Sequence, residues 1–151
     1  MSDNIEIGFA TEKDLPYLVE LLAELFALES DFHPDPAKQQ RGLLTILDEP
    51  ELGRLFVVRV GGKVAGMANA LITISTAEGG RALLLEDVVI HRDHRGGGLG
   101  RKLVEHVLKW AKQRGIVRVT LLADRDNQPA LDFYRKQGFE NSHMAVLRKI
   151  L

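Results

Sequence analysis

The stretch that most constrains the fold runs Leu85-Glu86-Asp87-Val88-Val89-Ile90-His91-Arg92-Asp93-His94-Arg95-Gly96-Gly97-Gly98-Leu99-Gly100-Arg101-Lys102. An apolar run with β-branched residues reads as a buried strand. A short polar turn follows it, then three consecutive glycines, then apolar residues at helical spacing. Glycines at a strand-to-helix junction let backbone N–H groups converge on one point, and the helix that starts there turns its positive end toward the same point. Arg92, Arg95, Arg101 and Lys102 add cationic side chains. A junction of this kind is an anion site suited to a pyrophosphate, placed at the end of a strand. It is not a P-loop, because Gly100 is followed by Arg101 and Lys102 rather than by Lys and Ser/Thr. It also lacks the G-x-G-x-x-G spacing of a dinucleotide site. Counted from Gly96 the third glycine would fall on Arg101, and counted from Gly97 the second would fall on Leu99.

Periodicity and chain breakers predict the elements around this junction. Glu6 to Ala10 alternates as a short strand. Thr11 caps a helix, with Asp14 three residues on, and the helix carries Leu15, Leu18, Val19, Leu22, Leu25 and Phe26 to about Glu29. A polar loop leads to a second helix that opens at Pro36 and ends before Pro50. Arg54 to Val60 and Lys63 to Thr76 are strands joined by a tight turn at Gly61-Gly62, with Gly66 as a candidate bulge. Ala82 to His91 is the strand that feeds the glycine turn, and the helix after it, marked by Leu99, Leu103, Val107, Trp110 and Ala111, closes at Gly115. Val117 to Ala123 follows by crossover and is therefore expected parallel to that strand. A short helix from Pro129 to Gly138 and a last strand from about Met144 to Leu151 complete the chain. The class is α/β: one mixed, mostly antiparallel sheet with helices on both faces.

A length of 151 residues suits one domain over 1–151. The absence of cysteine excludes a disulfide framework, a thiol nucleophile and a cysteine metal site. His91, Asp93 and His94 do not make a closed ligand set, so no metal is expected. The chain opens without the charged and apolar regions of a signal peptide and has no apolar run long enough to span a bilayer, so a cytoplasmic protein without a membrane partner is expected. Net charge is −1, but residues 1–51 hold twelve Asp/Glu against three Lys/Arg, and the remainder nine against seventeen. The basic part suits an anionic cofactor. The acidic part suits a cationic small molecule and argues against a nucleic-acid partner.

Arg95-x-x-Gly98-x-Gly100 after an apolar strand closely resembles the acetyl-CoA signature of the GCN5-related N-acetyltransferase (GNAT) family. Asn127-Gln128-Pro129-Ala130-Leu131-Asp132-Phe133-Tyr134, closing on Gly138-Phe139, resembles a second pattern of the same family. The predicted element order matches that family across nearly the full length. Gly97, between Gly96 and Gly98, is a departure that adds flexibility.

The resemblance implies that Arg95, Gly96, Gly97, Gly98, Leu99, Gly100 and Arg101 cradle the pyrophosphate of acetyl-CoA. The pantetheine arm would run along Val88, Val89 and Ile90 in a wedge beside the strand at 117–123. A backbone N–H near Val89 would polarise the thioester carbonyl. Asn127 would bind the cofactor's amide chain, and Tyr134 would donate a proton to the departing thiolate. Glu86 is the expected base toward the acceptor amine, facing the same cleft as Val88 by strand alternation, with Asp87 and His33 as alternates. Phe26, Glu29, Asp31, Phe32 and His33, together with Glu86, would line the acceptor pocket. The implied reaction is direct transfer of acetyl from acetyl-CoA to a small cationic amine such as a polyamine, an amino-acid derivative or an aminoglycoside, in a possible homodimer. A protein amine is the second acceptor class, and a non-catalytic acyl-CoA binder is the alternative outside enzymes.

Overall fold

A computed structural model describes residues 4–28 and 33–151. Along the chain come β1 (Ile5–Phe9), a 3-10 turn (Glu12–Asp14), α1 (Leu15–Leu28), α2 (Pro36–Asp48), β2 (Gly53–Val60), β3 (Lys63–Ser75) and β4 (Gly80–Ile90). A second 3-10 turn (Arg92–His94), α3 (Leu99–Gln113), β5 (Val119–Leu121) and α4 (Gln128–Lys136) follow. The strands form one sheet in the order β1-β2-β3-β4-β5. The first four are antiparallel, and β5 pairs parallel to β4 after the α3 crossover, as the spacing predicts. Among the described residues no helix is long and apolar enough to cross a membrane.

The helices sort onto the two faces by their apolar stripes. Leu99, Leu103, Val107 and Ala111 of α3 pack on Phe56, Val58, Leu83 and Leu85. On the other face Leu15, Leu18 and Leu22 of α1 and Leu43 of α2 pack with Leu55, Val57, Met67 and Val89. Each such side chain removed from water contributes roughly 1.5–3 kcal/mol, so the two layers hold the sheet from both sides.

The β2–β3 hairpin turns on Gly61 and Gly62, both left-handed at φ 58° and 82°, as a primed turn demands. The β2–β3 register shifts beside Gly66, which pairs with Val58 while Val64 pairs with Arg59. Gly66 is needed there for space: a Cβ would lie 2.9 Å from the Val89 carbonyl oxygen and 2.5 Å from Ile90 Cδ1.

Three local expectations change. The helix predicted directly after Thr11 begins with the 3-10 turn, where Asp14 Oδ2 accepts from the Thr11 backbone N–H at 2.8 Å. Asp14 is buried and also takes both guanidinium donors of Arg59 at 2.7 and 2.8 Å. The regular parallel strand, Val119–Leu121, is shorter than 117–123, although the Val117 N–H still donates to the Arg81 carbonyl at 3.0 Å and the Leu83 N–H to the Arg118 carbonyl at 2.9 Å. The segment 144–151 is not a strand: it makes no sheet pairing among the described residues and is exposed throughout. Such a segment forms a strand only against a partner edge, and β5, three residues long, offers it little ladder.

Candidate active site

β4 carries the central irregularity. Met67 pairs with Val89 and Asn69 pairs with Glu86, so Asp87 and Val88 together stand opposite Ala68. This is a β-bulge, and Asp87 adopts the left-handed conformation at φ 54° within it. It is the one non-glycine residue among those described with a positive φ.

The bulge shifts the side-chain phase. Leu85, Val88 and Ile90 pack in the α3 layer, whereas Val89 packs in the α1/α2 layer. Glu86, next to Leu85, therefore shares the α1/α2 face with Val89 and with Asn69, which lies two residues beyond Met67. The expected grouping of Glu86 with Val88 is corrected by this extra residue: Val88 turns its side chain to the opposite layer.

The bulge also ends the contact with β5. Leu83, Leu84 and Leu85 pair with Val119, Thr120 and Leu121, and among the described residues no β5 partner continues along Glu86–Ile90. The strands thus part just before the glycine turn. A splayed pair of this kind offers backbone donors and acceptors to an extended ligand.

At the end of β4 the chain makes its 3-10 turn, and Arg95 donates from Nε to the Ile90 carbonyl at 2.8 Å, tying the turn to the strand. Gly96 and Gly98 are left-handed at φ 83° and 82°, and Gly98 is the N-cap of α3. No atom lies within 4 Å of where a Cβ would stand on Gly96 or Gly98. The unobstructed turn before a helix of fifteen residues suits phosphate oxygens. Leu99 is buried, so its side chain belongs to the core and only its backbone can face a ligand. Arg101 leans toward Glu105, one turn along α3, at 3.9 Å.

Gly100 joins three elements. A Cβ there would lie 3.5 Å from the Phe133 ring of α4 and 3.7 Å from Ile90 Cγ1 of β4. The helix that carries Tyr134 is thereby held against the glycine turn. Tyr134 is partly buried, with ring centroids 5.1 Å from Phe133 and 5.8 Å from Phe139. Asn127 caps α4 by accepting from the Ala130 N–H at 3.2 Å, which leaves the NH2 half of its amide for a ligand.

Burial raises the Glu86 carboxyl above its ordinary range, the Asp87 charge raises it further, and Arg148 of the C-terminal segment opposes them. Asp87 is raised by burial and opposed by its hydrogen bond from Asn69 Nδ2 at 3.3 Å. Asn69 is buried, and its Oδ1 has no hydrogen-bond partner among the described residues. Sequence reasoning did not single out Asn69, although a lone amide inside Val64-Ala65-Gly66-Met67-Ala68-Asn69-Ala70-Leu71-Ile72 is a readable signal. Phe26 packs in the α1/α2 layer with Val89, whereas His33 is exposed in the loop before α2. Glu29, Asp31 and Phe32 lie outside the described residues.

The comparisons agree with this geometry. The family model described as "Acetyltransferase (GNAT) family" matches residues 16–139. An uncharacterized N-acetyltransferase of Methanocaldococcus jannaschii is 27% identical over 135 residues, covering 89% of this chain and 60% of that protein. This chain therefore spans less than two thirds of the length of that relative. The glucosamine 6-phosphate N-acetyltransferase of Trypanosoma brucei brucei is 28% identical over 142 residues, covering 90% of this chain and 89% of that one. A solved structure described as a possible acetyltransferase from Clostridium difficile 630 shares the fold at TM-score 0.88 over 97% of both chains, with 19% identity. A five-stranded sheet splayed beside a glycine turn, in a chain that the family model matches over most of its length, belongs to the Acetyltransferase (GNAT) family.

Proposed function

We propose that residues 1–151 form one N-acetyltransferase domain that moves the acetyl group of acetyl-CoA directly onto the primary amine of a small, cationic acceptor. The observation that carries this reading is the bulge at Asp87. It ends the β4–β5 pairing at Leu85 and leaves the next stretch of β4 open, immediately before a glycine turn and a helix N-terminus. Acetyl-CoA is the co-substrate and supplies the thioester.

The chain's own groups do the rest. Backbone N–H groups of Gly96 to Gly100, with Arg101, hold the pyrophosphate, and β4 from Val88 to Ile90 aligns the pantetheine arm with help from Asn127. A backbone N–H at Val89 stabilises charge on the carbonyl oxygen. The amine nitrogen bonds to the carbonyl carbon and the carbon–sulfur bond breaks. Glu86 takes the amine's proton, through water, and Tyr134 gives one to the thiolate. A raised carboxyl pKa suits Glu86 to this role, since a base works best near the operating pH. With no cysteine, the chain needs no oxidising compartment to fold, and we place its work in the cytoplasm.

Charge supports the cationic acceptor: the −9 of residues 1–51 lies in the part of the chain expected to wall the pocket. One relative's name carries a phosphorylated amino sugar, which is the opposite charge preference. The test is free-thiol release from acetyl-CoA across an amine panel that includes spermidine and glucosamine 6-phosphate, at low and high salt. Faster turnover of the cation, weakening with salt, is expected, because surface charges are screened over ~8 Å at physiological ionic strength. Preference for the phosphorylated sugar overturns the acceptor class. Binding of coenzyme A without turnover on any amine or peptide overturns the enzyme.

The reading extends to a homodimer. Met144, Leu147 and Ile150 are 86%, 93% and 82% exposed, and β5 is the open edge of the sheet. Each chain thus offers a sheet edge and an exposed, largely apolar C-terminal segment. Two copies related by a two-fold axis would cover this exposed apolar segment. Sedimentation should give a dimer that becomes monomeric when 144–151 is removed, and a monomeric full-length chain refutes it.

A further inference from the structure

Asn69 stands out among the groups that the proposed reaction does not use. It lies in the middle of β3, is 4% exposed, and pairs with Glu86 across the strands. Half of its amide is engaged, with Nδ2 donating to Asp87 Oδ2 at 3.3 Å, and its Oδ1 is buried without a partner among the described residues. A buried acceptor left unsatisfied is destabilising, and an apolar residue of similar size would remove that cost. Asp87 is itself strained, being a non-glycine residue at φ 54°. Two unfavourable features therefore meet in one hydrogen bond, and that bond touches the carboxylate adjacent to Glu86. Strain and unmet polarity concentrated at one point indicate a role other than packing.

We propose that Asn69 is a positioning residue: its amide holds the Asp87 carboxylate inside the bulge, beside the proposed base Glu86. The inference rests on the proposed role of Glu86 as base. The chain of causes runs through three side chains. The Asn69 donor favours the ionised form of Asp87 against the burial that disfavours it. Ionised Asp87 then makes it harder for Glu86 to carry a second negative charge, so Glu86 holds a proton to higher pH. The other charge acting on this pair is Arg148 on the C-terminal segment, which opposes the effect on Glu86; Glu24 of α1 points instead to Arg92 of the 3-10 turn, Oε1 to Nε 3.8 Å. β5, Val119–Leu121, carries no titratable residue.

The predicted signs are definite. Asn69→Leu removes the donor, so the Asp87 carboxyl titrates at higher pH and is more often neutral where Glu86 titrates. Glu86 then loses part of its upward push, and its midpoint falls. A weaker base at neutral pH lowers kcat, while KM for acetyl-CoA, set at the glycine turn, stays near the parent value. Asp87→Asn tests the same link from the other side. Asparagine tolerates the left-handed conformation, so the bulge survives while the charge is lost.

The experiment is a double-mutant cycle of Asn69→Leu and Asp87→Asn, read by NMR titration of carbon-labelled Glu and Asp carboxyls in the full chain and by the pH profile of kcat/KM. Each single variant should lower the Glu86 midpoint, and the acidic limb of the profile should move down with it. In the Asp87→Asn background, Asn69→Leu should move Glu86 no further. If it moves Glu86 as far there as in the parent, Asn69 does not act through Asp87 and the proposal fails. It fails equally if Asn69→Leu, folded by circular dichroism, leaves the Glu86 midpoint unchanged. The NMR arm does not depend on turnover. A chain that shows the predicted carboxyl coupling but never acetylates an amine would refute the proposed function and leave this link between the three residues standing.

Discussion

Gly66→Ala places one methyl group where the structure has no room for it, at the point where β3 backs the end of β4. The new Cβ would stand 2.9 Å from the Val89 carbonyl oxygen, 3.0 Å from Val58 Cγ1 and 2.5 Å from Ile90 Cδ1. The Ile90 tip can rotate away, but the Val89 carbonyl is backbone and moves only with its strand. Ordinary contact begins near 3.4 Å, so β4 must retreat by about half an ångström. Overpacking of this kind costs roughly 1–3 kcal/mol, offset by roughly 0.5–1 kcal/mol because alanine restricts the unfolded chain more than glycine. A net loss of about 1–2 kcal/mol lowers the melting temperature of a domain this size by roughly 2–8 °C. The larger effect should be catalytic. Val89 is the residue whose backbone N–H we propose meets the thioester, and an ångström of misplacement at a reacting centre can cost about a hundred-fold, so half of that predicts roughly ten-fold in kcat/KM. Gly8→Ala is the control, because nothing lies within 4 Å of its added Cβ. Thermal unfolding and steady-state kinetics on both variants decide the matter. A Gly66→Ala protein that matches Gly8→Ala in melting temperature and rate refutes the argument that β4 is held in place by this contact.

Three further outcomes follow from the geometry. Gly98→Val forces a β-branched residue to φ 82°, which costs at least about 1–2 kcal/mol, and it obstructs the turn; calorimetry should show weaker coenzyme A binding in a variant that still folds. Tyr134→Phe should lower kcat while leaving acetyl-CoA affinity near the parent value, and an unchanged kcat with chemistry rate-limiting removes the hydroxyl from the mechanism. Arg59 holds Asp14 below its ordinary carboxylate range despite its burial. That stability is therefore present above the unfolded value near 3.8 and lost as pH falls through the lower folded value, so Asp14→Asn should flatten the acid side of the melting-temperature profile.

The order of elements was legible because each depends on local pattern. The glycine turn, the Gly61-Gly62 hairpin and the apolar stripe of α3 can be read within a dozen residues. What escaped depends on contacts distant in sequence. Alternation along Leu85–Ile90 cannot reveal that Asp87 is an extra residue, because that follows from the register against β3, so Val88 was grouped with Glu86 in place of Val89. Arg59 meets Asp14 across 45 positions, and neither residue alone announces the pair. The segment 144–151 shows the opposite failure, since its apolar residues around Arg148 and Lys149 suggested a strand, but a strand also needs an edge to pair with. The roles of Tyr134, Asn127 and Glu86 rest on family resemblance and on placement, and the kinetics above are their test.

Three glycines in a row carry a thermodynamic consequence. Unfolded, this segment ranges over more conformations than any other stretch of equal length in the chain. Folded, it is anchored at the ends by Arg95 on the Ile90 carbonyl and by Gly100 against Phe133, with nothing packed where the side chains of Gly96 and Gly98 would be. The ordering entropy of the turn is thus met by its neighbours, and a bound diphosphate adds the contacts that the missing side chains do not make. Linkage then couples ligand to fold: at a free concentration of one hundred times Kd, a ligand of the native state alone adds ~2.7 kcal/mol to stability. Acetyl-CoA supply would accordingly bear on how long this chain survives proteolysis as well as on how fast it turns over.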